Sequence, residues 1–405
     1  MNVLKSLARR ALLPGLSVVS ALILGGVVIV ITDFENLSGI GSDPVGAIGG
    51  ALSGVFNGYG AMIAGAFGDP TRIVTAFQTG SERDIATAIR PLTETLVAAM
   101  PLIFVGLAVA VSFRAGMFNI GGNGQLMLGA LGATIVAIAL QTSGLPALVI
   151  LVLAIAASIV FGGLWGFIPG FLKARTGAHE VITTIMLNLI ATQIVLFALL
   201  GPFLRQAGSS QPISKNMTWV DVPPIVDLPA IRLDWGFVVA LVTAGIISWL
   251  LFKTTKGFEL RAAGFNPTAA RYAGMSAGGS MMLAMSLSGA LAGMGGGFVV
   301  IGTVGQLSND LHSNIGFNAI ALALLAGLRP SGVVLAALLF GALTTGGKEM
   351  GIQTGIPFDL LFFIIALVIM FVAAPGLIRS IWRVKVSRSA ADLPSLGPTA
   401  PAEPV

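Results

Sequence analysis

Residues 147–171 read ALVILVLAIAASIVFGGLWGFIPGF, a run without one charged side chain. About 20 apolar residues in a helix cross the hydrocarbon core of a bilayer, so this stretch is long enough to span it. Comparable runs occupy 12–31, 91–112, 124–140, 181–200, 235–252, 279–301, 315–328, 331–346 and 358–378. The pair 315–328 and 331–346 is short and meets at Leu328-Arg329-Pro330, which reads as two tightly joined helices. The fold class that follows is an all-α integral membrane protein of about ten transmembrane helices. It forms one polytopic domain over 1–388, and the Pro/Ala/Ser-rich segment 389–405 is expected to be a disordered cytoplasmic tail.

Composition supports the reading. Of 405 residues, 55% are hydrophobic and only 10% charged, against roughly 25% charged in soluble domains. Such a surface needs lipid around it, and lipid requires every backbone polar group to be paired within the protein. The 53 glycines suit helices that approach closely. The chain has no Cys and only two His, His179 and His312. Disulfides, thiolate ligands and Cys nucleophiles are excluded together, and neither a metal site nor a cofactor is expected.

Lys and Arg collect on the cytoplasmic side of membrane proteins. With the N-terminus inside and ten alternating spans, 15 of the 22 basic residues fall inside, among them Arg114, Lys173, Lys253, Arg261, Arg271 and Arg329. Both termini are then cytoplasmic. The first run follows Lys5, Arg9 and Arg10 as a signal peptide would, but Thr32-Asp33-Phe34 is no small-residue cleavage site. It is read as a retained span. Val45–Phe67 is weakly apolar and holds seven Gly. If it crossed, every later loop would change sides, so it is read as a re-entrant or interfacial segment at the outer face.

Polar residues within spans are costly and tend to face a bundle interior or a water path. Glu94, in Pro91-Leu92-Thr93-Glu94-Thr95, sits just inside the second span at its outer end. It is either a ligand or gate contact or a carboxylate reaching back to the interface. Asn119, Asn123 and Gln125 lie in a Gly-rich discontinuity over 114–125, which survives only where protein or a cavity covers it. Their amides could bind a neutral, hydroxyl-rich or base-like solute, or satisfy the broken backbone. Asn188 and Gln193 are five apart in one span and so lie on different faces. Phe118 and Trp165 could stack on a base, or simply pack. His179 and Glu180 stand at an inner span edge and read as a cap.

The longest inner polar interval, 253–277, contains the turn Gly264-Phe265-Asn266-Pro267. Asn266 can cap a short helix that begins at Pro267. A short helix across the inner face suits docking of a peripheral partner. Gly346-Gly347-Lys348-Glu349 lacks the spacing and the Ser or Thr of a phosphate-binding loop, so no ATP site is visible in the chain.

The run Phe113-Arg114-Ala115-Gly116-Met117-Phe118-Asn119-Ile120-Gly121-Gly122-Asn123-Gly124-Gln125 resembles the signature of permease subunits of bacterial nucleoside and simple-sugar ABC importers, the branched-chain amino acid permease-like family. His179–Asn188, Gly257–Asn266 and Ala269–Met275 are similar to it as well, in the same order, over about 90–378. The family usually carries an acidic residue where this chain has Asn123.

The resemblance implies a transport subunit of the bacterial plasma (inner) membrane, with no enzymatic activity of its own. It implies a second related permease, a cytoplasmic ATPase that binds the ATP, and an extracytoplasmic solute-binding lipoprotein or periplasmic protein. It further implies that Glu259, Arg261, Gly264, Asn266, Ala270, Arg271 and Gly274 form the segment that receives the ATPase stroke. Scarce intramembrane charge favours a neutral polar solute such as a nucleoside, with a sugar still open. The alternative is an ion-coupled secondary transporter, which would want more intramembrane carboxylates than Glu94.

Overall fold

The computed structural model describes residues 2–33, 37–220, 222–226, 228, 231–311 and 315–383. The tail expected at 389–405, and His312, lie outside these. In chain order the helices are α1 (Asn2–Thr32), α2 (Pro44–Phe67), α3 (Pro70–Thr79), α4 (Glu82–Arg114), α5 (Gly122–Leu140), α6 (Ala147–Thr176), α7 (Glu180–Leu200) and α8 (Trp235–Lys253). There follow α9 (Thr255–Phe265), α10 (Pro267–Tyr272), α11 (Ala277–Phe298) with a π-helical continuation at Val299–Val304, α12 (Ile315–Leu325), α13 (Pro330–Thr354), α14 (Phe358–Ala373) and α15 (Pro375–Ile381). Among the described residues there is no strand, only isolated bridges.

Eight of these helices are long and apolar enough to cross a membrane: α1, α4, α5, α6, α7, α8, α11 with its π turn, and α13. Two shorter apolar helices, α12 and the core of α14, fall in the remaining two of the ten expected runs but are shorter than the other eight. The boundaries shift where local chemistry dictates. Left-handed backbone at Gly327 (φ 59°) and Leu328 (φ 56°) stops α12 short of 328. Pro375 cannot continue α14, so the run expected to reach 378 breaks at Ala374. The ninth run is not short, because α13 continues to Thr354. Its second half, Thr344 to Gln353, is only weakly apolar and hides from a hydropathy count.

The segment 45–67 is one continuous helix. Asp43 caps it by accepting from Gly46 N–H at 2.9 Å, and Pro44 occupies its first turn. Near its C-terminus, the Ala66 carbonyl accepts from Thr95 Oγ1 at 2.8 Å. Thr95 stands about 28 Å of helix rise from Arg114. The C-terminus of α2 therefore packs part-way along α4, about 20 Å from Glu82, and does not reach the Arg114 end.

The core is built on close helix contact. A Cβ on Gly162 of α6 would stand 2.7 Å from the Cα of Gly293 in α11, and one on Gly289 of α11 would stand 2.9 Å from the Cα of Gly166. Only glycine permits backbones this near, as the sequence pattern of α11 implies. Next to this seam α4 buries Ile103, Phe104 and Leu107 completely. α1 packs on α14 through Ala21, Val368 and Phe371, and Tyr59 Oη donates to the Leu22 carbonyl at 2.5 Å. The Pro/Asp-rich connection after α7 is pinned, not loose. Ser214 N–H donates to the Leu307 carbonyl at 2.9 Å, Met217 N–H to that of Gly305 at 2.8 Å, and Met217 and Val220 are fully buried.

Candidate functional site

α4 ends at Arg114, and Gly116 turns the chain back with φ +71°. Phe113 and Phe118 stack across this turn with centroids 4.3 Å apart. The chain then climbs into the bundle before α5 begins. A Cβ on Gly122 would meet a Val105 methyl at 3.0 Å, a depth of about 13 Å along α4 from Arg114. The discontinuity read from 114–125 is thus a non-helical stretch from Ala115 to Gly121 that buries Ala115, Met117, Asn119 and Gly121 and leaves Gly116 and Phe118 exposed.

Its backbone polar groups must find partners inside the protein, and the amide side chains supply them. Asn119 is fully buried; its Nδ2 donates to Gln125 Oε1 at 3.0 Å and to Ser288 Oγ at 2.8 Å. Its Oδ1 accepts from Gly121 N–H at 2.8 Å. Ser288 in turn donates to the Ala108 carbonyl at 2.7 Å. Asn188 reaches over from α7: Oδ1 accepts from Gly124 N–H at 2.8 Å, and Nδ2 donates to the Ile120 carbonyl at 2.9 Å. Thr184, one turn earlier, accepts from Ile120 N–H at 3.3 Å. Gln193 is exposed on another face of α7.

Asn123 Oδ1 accepts from Gly316 N–H at 2.7 Å and so ties the start of α5 to the start of α12. A carboxylate could accept the same bond but would add a charge beside the positive end of α12. Asn123 keeps the clamp and leaves the charge out.

A cleft of about 1290 Å³ opens at the opposite end of the bundle. Its rim carries Asp69, Arg72, Arg83, Glu94, Arg232, Lys348 and Glu349, and its floor reaches Leu102, Val299, Thr303, Ile315, Asn318 and Thr345. Glu94 holds Arg232 with both carboxylate oxygens, Nε to Oε1 at 3.1 Å. That hydrogen bond pushes the Arg232 pKa above its ordinary value. Of the six residues expected on a solute path, Glu94 lines this cleft, whereas Phe118, Asn119, Asn123, Gln125 and Asn188 belong to the break. Trp165 packs against the core, and Glu180 forms an ion pair with Lys173 at 2.8 Å.

The interval 253–277 folds as two short helices. Thr254 caps α9 through Gly257 N–H at 3.0 Å. Asn266 caps α10 through the N–H groups of Thr268 and Ala269, both at 3.0 Å, as its sequence position predicts. Glu259 pairs with Lys256 at 2.9 Å. Ala270 is buried with Ala263 and Ala277, and Gly274 takes φ +80° where the chain leaves α10. Arg114 and Arg261 lie on the Phe252 ring, 4.9 and 5.3 Å from its centroid. Arg114 Nε also donates to the Leu328 carbonyl at 2.6 Å. Arg271 is exposed, and so are two aromatics that composition did not flag, Phe265 at 78% and Tyr272 at 90%. Their signal is positional, since aromatics in a short polar interval have no core to fill.

Residues 92–374, covering the break, the cleft floor and the α9–α10 segment, match the family described as branched-chain amino acid transport system / permease component. The chain belongs to this permease family. It is similar to the guanosine ABC transporter permease of Bacillus subtilis, 42% identical over 289 residues that make up 71% of this chain and 82% of that protein. A nucleoside ABC transporter permease of Lactococcus lactis is 36% identical over 301 residues, 72% of this chain and 81% of that one. A glucose ABC transporter permease of Haloferax volcanii is 36% identical over 288 residues, 69% and 75% of the two chains. The permease is a multi-pass protein of the bacterial inner membrane and a transport subunit of an ABC importer. Nothing among these relatives supports the ion-coupled alternative.

Proposed function

We propose that the permease forms one half of the membrane pathway of an importer for a neutral nucleoside, a purine nucleoside such as guanosine foremost. The observation that carries this is the 42% identity to the guanosine permease over most of both chains. The floor of the cleft, which presents hydroxyls and an amide without a charge, agrees with a neutral solute.

The cleft end faces outward and receives solute from an extracytoplasmic binding protein. The Arg114 end faces the cytoplasm. There α9 and α10, with Phe265, Arg271 and Tyr272 exposed, dock on an ATPase subunit. A second, related permease supplies the other wall of the path. Hydrolysis in the ATPase moves α10, and α9 passes the movement to the break, which closes the path on its inner side.

The test is uptake of radiolabelled guanosine by cells that express the permease with its ATPase, second permease and binding protein. Guanosine uptake that unlabelled adenosine, but not glucose, competes down supports the reading. Uptake of glucose alone would replace it with a sugar importer.

A further inference from the structure

We infer that the permease has its own solute-contact site at the floor of the cleft, where Thr303, Asn318 and Thr345 hydrogen-bond a neutral, planar solute with hydroxyl and amide edges. The inference rests on the proposed import of nucleosides and adds the side chains that touch the nucleoside inside the membrane.

Thr303 carries the first argument. It lies in the π-helical continuation of α11, and its Oγ1 is shut from solvent without a hydrogen-bond partner. A buried hydroxyl left unpaired is destabilising, and π-helical turns are frequently functional. Thr303 nonetheless lines the cleft, so a rotation about χ1 toward a bound solute gives the hydroxyl the partner it lacks.

Asn318 carries the second. The other amides near the break are engaged with backbone and with each other, Asn119 and Asn188 through both oxygen and nitrogen and Asn123 through its oxygen. Asn318, in the first turns of α12, makes no hydrogen bond with the described residues and faces the same cleft. Thr345 of α13 likewise has its hydroxyl unengaged there. Three uncommitted polar groups from three helices converge on one cavity.

The surroundings define the ligand. Leu102, Val299 and Ile315 line the same floor and offer an apolar surface to a planar ring. The charged groups stay at the rim, where Glu94 is held by Arg232 and Asp69 lies 3.9 Å from Arg72. A charged solute would meet no counter-ion at the floor. The cleft volume of about 1290 Å³ exceeds the roughly 300–1,000 Å³ of an enclosed small-molecule site, as expected of an open half-pathway that a second permease completes.

The test uses the complete transporter in proteoliposomes with saturating loaded binding protein. Asn318→Leu should lower guanosine uptake about tenfold, the effect of about one lost hydrogen bond, and the pair Thr303→Val/Thr345→Val, which removes two, by more than that. ATP hydrolysis stimulated by the binding protein should stay at the wild-type level, and the melting temperature of the complex should not fall below it. Asn318→Gln and Thr303→Ser should recover most of the uptake. As a second readout that needs no variant, an azido-purine nucleoside should photolabel the peptides containing 299–304 and 315–325, and guanosine should compete. Wild-type rates in the variants, or photolabelling confined to other peptides, overturn the inference while nucleoside import stands. A wild-type transporter that imports no nucleoside overturns the proposed function and the inference with it.

Discussion

The backbone of Gly264 in α9 lies directly on the backbone of Gly116 in the break: a Cβ on Gly116 would stand 2.9 Å from both the Cα and the carbonyl oxygen of Gly264. The contact joins the segment proposed to dock the ATPase to the non-helical stretch that follows α4, with no side chain between them to absorb movement. Packed backbones of this kind transmit displacement, because there is no void to collapse into.

A side chain at Gly264 should therefore separate the two. Its Cβ would press on the backbone of Arg114 through Gly116, and overpacking of this type costs about 1–3 kcal/mol. Gly264→Val is expected to lower guanosine uptake per ATP hydrolysed in proteoliposomes severalfold or more. Gly278→Ala serves as the control, since its Cβ would meet only the Ala174 methyl at 3.5 Å. A Gly264→Val transporter with wild-type coupling would show that the contact transmits nothing.

Asn119 should matter for stability more than for solute recognition. Asn119→Leu leaves the Gly121 N–H and the Gln125 carbonyl oxygen without their partners, at about 1–3 kcal/mol for each buried group. The variant should melt several degrees below wild type in detergent, followed by intrinsic tryptophan fluorescence. Gln193→Leu, on the exposed face of the neighbouring α7, should shift the midpoint little. If Asn119→Leu melts with the wild type, the clamp is not what holds the break.

The spans were legible because a lipid-facing helix announces itself in local composition. The break was legible for the opposite reason: Gly121-Gly122-Asn123-Gly124 is polar and Gly-rich between two apolar runs. What the amides do there was not, because their partners are remote in the chain; Asn188 bonds Gly124 across 64 positions and Asn123 bonds Gly316 across 193. α2 was hidden because its glycines dilute hydropathy while they serve packing, as Gly58 does against Met350 and Ile356. The cleft floor was equally silent, since Thr303 and Thr345 look like ordinary small residues of apolar spans. Position 264 stood inside a recognisable motif, but its purpose depends on Gly116, which only the folded chain brings beside it.

The orientation can be read directly, because the chain has no cysteine and a single introduced thiol is unambiguous. Ser81→Cys, at the start of α4, should react with an impermeant maleimide on intact cells. Tyr272→Cys, at the end of α10, should react only after permeabilisation. The reverse pattern would mean that α2 crosses the membrane, and would place the α9–α10 segment outside, where no ATPase could reach it.

The seam between α6 and α11 gives the sharpest contrast of neighbours. A Cβ on Gly162 would stand 2.7 Å from the Gly293 Cα, backbone that cannot step aside, whereas one on Gly163 would meet the Ala290 methyl and the Ser286 carbonyl no closer than 3.5 Å. Gly162→Ala is expected to destabilise by about 1–3 kcal/mol through overpacking, with lower yield of folded protein and an earlier melt. Gly163→Ala should be neutral, or stabilising by up to about 1 kcal/mol, as alanine is the better helix former. The two substitutions add the same methyl at adjacent positions of one helix, so propensity and lipid solvation largely cancel between them. A difference in melting temperature then reports the helix–helix contact itself, and equal behaviour would show that α6 and α11 are not packed backbone to backbone.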